Sequence, residues 1–271
     1  MPELPEVETS RRGIDPHISG RTIARSVVRQ SQLRWPVSPQ ITTLMPGQTV
    51  LSTRRRGKYI LIETTNGHII IHLGMSGSVR ILPTGVPAAK HDHIDIEFSH
   101  DVMLRYTDPR RFGCILWSGD TIDEHPLLAS LGPEPLADTF DAPYLYQRSR
   151  GRKTPIKSFI MDSHVVVGVG NIYANEALFM AGIRPLADAG SVSRVRMARL
   201  VMCIKQVIDH AITVGGTTLR DFVGGDGKPG YFKQSLQVYG RGGEACKQCG
   251  GTLQEVRLSA RSTVFCKRCQ R

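Results

Sequence analysis

Residues able to do chemistry sit at both ends of this chain. It opens Met1-Pro2-Glu3-Leu4-Pro5-Glu6. A small second residue normally lets the initiator methionine be removed, which would leave Pro2 with a free secondary amine beside the Glu3 carboxylate. A secondary amine attacking a sugar carbon yields an iminium, a covalent intermediate that splits one hard step into two easier ones. The same residues would also suit an ordinary chain end, frayed and unused. Near the other end, Cys246-Lys247-Gln248-Cys249 and Cys266-Lys267-Arg268-Cys269 stand sixteen residues apart. Each Cys-x-x-Cys turn points two thiolates at one place, and two turns close a tetrahedron around zinc. Two disulfides are the alternative, but no secretion signal is seen, and thiols then stay reduced. With all four positions filled by protein, one structural Zn2+ is expected and no catalytic cofactor. Cys114 and Cys203 lie in apolar sequence and read as buried core thiols.

The elements that must position these groups change in kind along the chain. Residues 1 to about 130 read mostly as strand. Lys58–Thr64 and His68–Leu73 flank Asn66-Gly67, a strong hairpin signal. Thr22–Gln30, His93–Phe98, Met103–Thr107 and Cys114–Ser118 are further β runs, and Leu4 to about Ile14 is an opening helix with Pro5 in its first turn. After Leu131-Gly132-Pro133 the pattern turns helical. The clearest helix spans about Ser193 to Val214, with Ala198, Val201, Ile204, Ile208 and Ala211 on one face and Gly215-Gly216 as its stop. Gly224-Gly225-Asp226-Gly227-Lys228-Pro229-Gly230 is too glycine-rich for a regular element and reads as a loop that closes over a ligand.

The 271 residues carry a net charge of +11. Such an excess points to a polyanion, nucleic acid before acidic membrane. No apolar run approaches the roughly 20 residues a membrane span needs. Basic residues gather at Arg54-Arg55-Arg56-Gly57-Lys58, at Arg110-Arg111, from Arg148 to Lys157, and at Arg257 and Arg261. A single cluster is as readily a solvated face; four in separate segments favour a surface that tracks phosphates. Aromatic residues make up only 6% of the chain, which argues for duplex over single strand. The stretch Val169-Gly170-Asn171-Ile172-Tyr173-Ala174-Asn175-Glu176 reads as a glycine turn opening a helix, where backbone N–H groups and Asn171 can hold a phosphate.

Taken together, Pro2-Glu3-Leu4-Pro5-Glu6-Val7-Glu8-Thr9, the Gly170-Asn171-Ile172-Tyr173 turn and the four-cysteine finger resemble the bacterial formamidopyrimidine-DNA glycosylase family, in the family's order and over essentially the whole chain. The resemblance implies an α+β fold: an N-terminal catalytic β-sandwich with flanking helices (residues 1–131), a helix–two-turn–helix DNA-binding domain with a lesion-capping loop (132–230), and a zinc-finger β-hairpin (237–271). It implies base-excision DNA repair by a bifunctional glycosylase and abasic-site lyase acting on oxidised purines, 8-oxoguanine and formamidopyrimidines.

Roles follow from the same resemblance. Pro2 would attack C1′ and expel the base, and Glu3 would protonate the sugar-ring oxygen. An α-amine titrates near 8, so a useful fraction is neutral at physiological pH. Lys58 would serve β-elimination and Arg261 δ-elimination. Either could instead be a phosphate contact, and arginine, with a pKa above about 12, is a poor proton donor. Chemistry on a base in a duplex requires its extrusion, and Met75, Arg110 and Phe112 match the family's void-filling residues. By residue type alone Met75 and Phe112 read as core. His91, Lys153, Asn171 and Tyr239 match DNA contacts, Glu6 the contact to the lesion base, and residues 217–230 the segment that closes on it. Ala245 stands where the family often has proline, which leaves zinc binding intact.

Two other readings compete. An endonuclease VIII-type enzyme would use Pro2 and Glu3 on oxidised pyrimidines, but tends to carry glycine where this chain has Leu4. A non-catalytic lesion-binding paralogue fits poorly with intact Pro2, Glu3 and Lys58. The expected partner is double-stranded DNA bearing oxidised purines or abasic sites, the expected state a monomer, and the expected location the bacterial cytoplasm, at the nucleoid.

Overall fold

The computed structural model describes residues 2–119, 121–216 and 235–271. The glycine loop expected around residues 217–230, and Met1, lie outside the described residues. The chain divides into two compact units, described separately: residues up to 129 with 214–216, and residues 130–213 with 235–271.

The first unit begins with α1 (Leu4–Ile18), followed by β1 (Ile23–Val28), the short α2 (Gln40–Thr43), β2 (Val50–Arg56), β3 (Tyr59–Thr64), β4 (Gly67–His72), β5 (Ser78–Pro83), β6 (Asp92–Phe98), β7 (Val102–Thr107) and β8 (Cys114–Ser118). Two antiparallel four-stranded sheets form, ordered β1-β6-β7-β5 and β2-β3-β4-β8. Side chains alternate across a strand, so Ile60, Ile62, Ile69, Ile71 and Ile115 of one sheet share a core with Val79, Ile94, Ile96 and Leu104 of the other. Val7, Ile14 and Ile18 add the apolar stripe of α1 to that core. The expected sandwich is thus present.

Details differ from expectation. β2 and β5 have no clear alternation in sequence; β2 is rich in arginine because much of it is not deeply buried. The hairpin loop is Thr65-Asn66, since Thr64 pairs with Gly67. Gly67 has φ +142°, and a Cβ there would lie 2.5 Å from the Trp117 ring, so close approach of β8 demands glycine. α1 runs on to Ile18 with Pro16 inside it.

The second unit holds α3 (Ala142–Ser149), α4 (Ile156–Ile160), α5 (Asn171–Ala181), α6 (Arg194–Thr213) and a hairpin of β9 (Gln254–Leu258) and β10 (Arg261–Phe265). Between α4 and α5 the chain makes tight turns, with Asp162 O accepting the N–H groups of Val165 (2.9 Å) and Val166 (3.1 Å) and Gly168 at φ +78°. α5 is buried nearly all round, hence its lack of an apolar stripe. It stops at Gly182, which takes the left-handed conformation at φ +69°. α6 buries Met197, Leu200, Val201, Cys203, Ile204, Val207, Ile208, Ala211 and Ile212. Ala198, expected on that face, is only half-buried because the stripe is centred closer to Met197 and Leu200. Cys114 and Cys203 are buried, as expected.

Candidate functional site

In the first unit the N-terminus is built into the structure. Pro2 is buried and Glu3 is 2% exposed, as the N-cap of α1. The Glu3 N–H donates to Glu6 Oε2 at 2.9 Å, one side of a capping box. Glu6 is fully buried, and Gly216 packs on it so closely that a Cβ would lie 3.1 Å from Glu6 Oε1. Glu6 therefore has a structural task that its type did not announce: it fixes the peptide next to Pro2.

Lys58 lies in the Gly57-Lys58 turn joining β2 to β3, half-buried. Arg55 ties that turn to α1, donating to Gly57 O at 3.0 Å and to Glu8 Oε2 at 3.3 Å. Glu8 also takes Arg11 and Arg12 at 2.9 and 2.8 Å. Burial pushes its carboxyl upward, but the hydrogen bonds and charges of these arginines outweigh that and hold it below the usual range.

His72, at the end of β4, lies 4.9 Å from the Tyr59 ring and accepts the Gly74 N–H through Nδ1 at 3.0 Å. Burial first, and then the charges of Lys58 and Arg34, pull its pKa down to about 4. The ring is neutral near pH 7. Unfolded, His72 takes up a proton near pH 6.5, whereas the folded protein resists until about 4. Stability from this group is therefore present above pH 6.5 and lost as pH falls toward 4. His72 is only half-buried, which discounts the effect to about 2 kcal/mol. Urea denaturation at pH 7 and pH 5 checks this: His72→Gln is expected to flatten the pH dependence relative to the parent, and equal slopes would contradict it.

Met75 is 38% exposed and Phe112 46% exposed, so the core reading of these two side chains fails. The Arg110 guanidinium sits 4.8 Å from the Phe112 ring centre. His91 is half-buried just ahead of β6, and its carbonyl accepts the Asp108 N–H at 3.1 Å. The loop before it is held by Arg105, which is 2% exposed. Arg105 donates to Val86 O (2.8 Å) and Pro87 O (3.0 Å) while paired with Asp95 at 2.8 Å.

The second unit carries the other predicted residues. Lys153 is exposed between α3 and α4. Asn171 is the first residue of α5, and its Oδ1 is buried without a hydrogen-bond partner among the described residues. Tyr239 is set by Glu176, a residue quoted in the turn motif but given no role. Its carboxylate accepts the N–H groups of Gln237 (2.8 Å), Val238 (3.0 Å) and Tyr239 (2.8 Å). Burial outweighs those three bonds and raises the Glu176 pKa. Arg261 is exposed at the start of β10, after Ser259 and Ala260, which have φ of +49° and +61°. The strand is braced by buried Lys157, whose Nζ donates to Ser262 O (2.8 Å) and Thr263 Oγ1 (2.7 Å), and by Asn175, whose Oδ1 accepts the Val264 N–H at 2.9 Å. Lys157 closes a basic run that reads as part of a phosphate-tracking surface, and its burial at 1% exposure corrects that for this residue. Asn175 stands in the turn motif without a role there, because a lone buried polar residue leaves no periodic signal.

The thiols of Cys246, Cys249, Cys266 and Cys269 all lie within 4.8 Å of one another, with Cys249–Cys266 at 3.5 Å and Cys246–Cys269 at 4.0 Å. Zn–S bonds of about 2.3 Å place tetrahedral sulfurs about 3.8 Å apart, so the donor set fits zinc. Burial, then hydrogen bonds with the other three thiols, push Cys269 up to about 12, the mark of a cluster that needs a cation to ionise.

Three family models match: the formamidopyrimidine-DNA glycosylase N-terminal domain over residues 1–115, the formamidopyrimidine-DNA glycosylase H2TH domain over 131–223, and the zinc finger found in FPG and IleRS over 243–271. The chain is 58% identical to a formamidopyrimidine-DNA glycosylase of Pseudomonas putida and 60% identical to one of Marinomonas sp., with 100% of each chain covered in both cases. It is similar in structure to wild-type Lactococcus lactis Fpg in complex with DNA containing N7-benzyl-Fapy-dG (TM-score 0.92, 33% identity, 99% of each chain covered). A complex of Lactococcus lactis Fpg with DNA containing an abasic site matches at TM-score 0.92 and 32% identity, again over 99% of each chain. Among the described residues no helix is long and apolar enough to cross a membrane.

Proposed function

The chain belongs to the formamidopyrimidine-DNA glycosylase family, and from that premise we propose that it excises 8-oxoguanine and formamidopyrimidines from duplex DNA through a Pro2 iminium and then cuts the abasic strand by β,δ-elimination. As a member of this family it is a DNA-repair glycosylase acting on damaged bases, with a structural zinc finger. The observation that carries the finer reading is the buried Pro2-Glu3 pair at the head of α1, with Glu6 closed onto the Glu3 N–H at 2.9 Å. A chain end without a task is left exposed.

With Met1 removed, the Pro2 nitrogen attacks C1′ and the C1′–base bond breaks, the base leaving with the bonding pair. Glu3 protonates the ring oxygen, the ring opens, and the C1′–N bond becomes an iminium. The iminium acidifies the C2′ proton. Its removal expels the 3′ phosphate, with Lys58 serving this step. A second elimination expels the 5′ phosphate, with Arg261 serving this step, and water then frees Pro2. Met75, Arg110 and Phe112 fill the gap left by the extruded nucleotide, with Arg110 bonding the unpaired cytosine. Glu6 contacts the lesion base. His91, Lys153, Asn171 and Tyr239 hold phosphates, so affinity falls steeply with salt. The work is done at the nucleoid, in the cytoplasm. Neighbouring Lactococcus lactis Fpg complexes bear N7-benzyl-Fapy-dG or an oxidised pyrimidine, so the purine class rests on the family resemblance and Leu4.

Borohydride trapping on a duplex with one 8-oxoguanine opposite cytosine tests the reading. A covalent adduct mapping to Pro2 is expected. Trapping only on an oxidised pyrimidine would transfer the assignment to that lesion class, and no adduct from a chain with a free Pro2 would remove the iminium mechanism.

A further inference from the structure

We propose that Asp108 is a positioning residue that locks the loops carrying Met75 and Arg110–Phe112 into one rigid wedge; the proposal rests on the void-filling reading of those three side chains. Asp108 is fully buried, while the side chains it organises are exposed. Its Oδ1 accepts the Ser76 hydroxyl at 2.8 Å, and its Oδ2 accepts the Gly113 N–H at 2.9 Å and the Tyr106 hydroxyl at 3.2 Å. Its backbone carbonyl meets His93 Nε2 at 2.8 Å and accepts the Arg111 N–H at 3.2 Å.

These partners bracket the wedge. Ser76 follows Met75, and its Oγ also accepts the Arg110 N–H at 3.2 Å. Gly113 follows Phe112. The two loops also touch backbone to backbone, because a Cβ on Gly74 would lie 2.4 Å from both Gly113 N and Phe112 C. Arg111 is held at φ +55°, a left-handed conformation that a non-glycine residue adopts only when its surroundings impose it. That single residue turns the chain between Arg110 and Phe112, and the Arg111 N–H is among the groups Asp108 holds.

Each side-chain or backbone group that meets the Asp108 carboxylate oxygens, from Ser76, Tyr106 and Gly113, comes to them as a donor. Alanine at this position would strand the Gly113 N–H and release both loops. A wedge inserted into a base stack must not yield at its root, and a displacement of about 1 Å can cost roughly 100-fold in rate.

The test uses the full chain with Asp108→Ala and Ser76→Ala. Single-turnover excision of 8-oxoguanine is measured opposite cytosine and opposite adenine, alongside borohydride trapping at a preformed abasic site and a thermal melt. Asp108→Ala is expected to slow excision roughly 100-fold, to shrink the cytosine-over-adenine preference, and to leave abasic trapping near the parent level. Ser76→Ala is expected to move the base preference the same way by less, because only one link is cut. A merely structural defect would lower excision and trapping together and leave the preference intact, which overturns the proposal. If Asp108→Ala does not fold, Ser76→Ala decides: an unchanged preference overturns it, a reduced one supports it. Met75→Ala and Phe112→Ala separate the premises. No slowing there removes the void-filling reading itself, whereas slowing there with normal Asp108→Ala and Ser76→Ala removes only the role of Asp108.

Discussion

Pro2→Ala, with removal of Met1 confirmed by mass, is expected to lose excision of 8-oxoguanine by about three orders of magnitude or more. Alanine leaves a primary amine in place, so the loss does not come from lacking a nitrogen. A secondary amine forms an iminium that has no N–H to lose, so it stays cationic and electron-withdrawing at any pH. A primary amine forms an imine that must be protonated to pull electrons equally well. The pyrrolidine ring also fixes φ and hence the direction of the lone pair, and here the residue is buried beside a Glu3 peptide pinned by Glu6. Binding to an uncleavable abasic-site duplex is expected to hold near the parent value, since the basic clusters that meet phosphate lie elsewhere in the chain. Single-turnover kinetics and a filter-binding titration measure the two quantities. Near-parental excision, or an adduct mapped to Lys58 in the parent protein, would defeat the assignment of Pro2.

Removal of zinc has the second large effect. Chelation, or Cys249→Ser, is expected to unfold the finger and weaken duplex binding roughly tenfold or more, with recovery on adding zinc back to the chelated protein. The finger's buried residues Val238, Cys246, Leu253, Val264 and Cys266 share a small core with Phe179 of α5, and two of them are cysteines of the metal set. So small an apolar core does not hold a hairpin by itself, and structural zinc contributes about 10–16 kcal/mol of apparent binding free energy in isolated fingers. Once it opens, β10 loses its register, and with it go the bonds from Lys157 and Asn175 that set the strand bearing Arg261. Limited proteolysis, metal content by mass spectrometry and a DNA titration follow the process. An unchanged digest and affinity at zero metal would show that the hairpin stands without the ion.

The features legible in sequence are those carried by short spacings. Two Cys-x-x-Cys turns name their metal because ligands three residues apart converge on one point, whatever surrounds them. The Asn66-Gly67 turn between two apolar runs placed β3 and β4, and the long stripe of α6 announced itself, because both signals are local. β2 and β5 went unread for the converse reason: at partly solvated sheet edges they need little apolar alternation.

What only the tertiary structure decided is which polar groups meet. Residue type alone sent Met75 and Phe112 to the core, yet they stand exposed at 38% and 46% because glycines at 74 and 113 bring their loops into backbone contact. Asp108 binds Ser76 from 32 positions away, Lys157 reaches Thr263 across 106, and Glu176 gathers N–H groups from 61 to 63 positions on. A buried carboxylate or ammonium must find hydrogen-bond partners wherever the fold supplies them. The chain order of those partners carries no period, so the sequence by itself named the residues of the chemistry, and the packing of distant loops chose the residues that hold them in place.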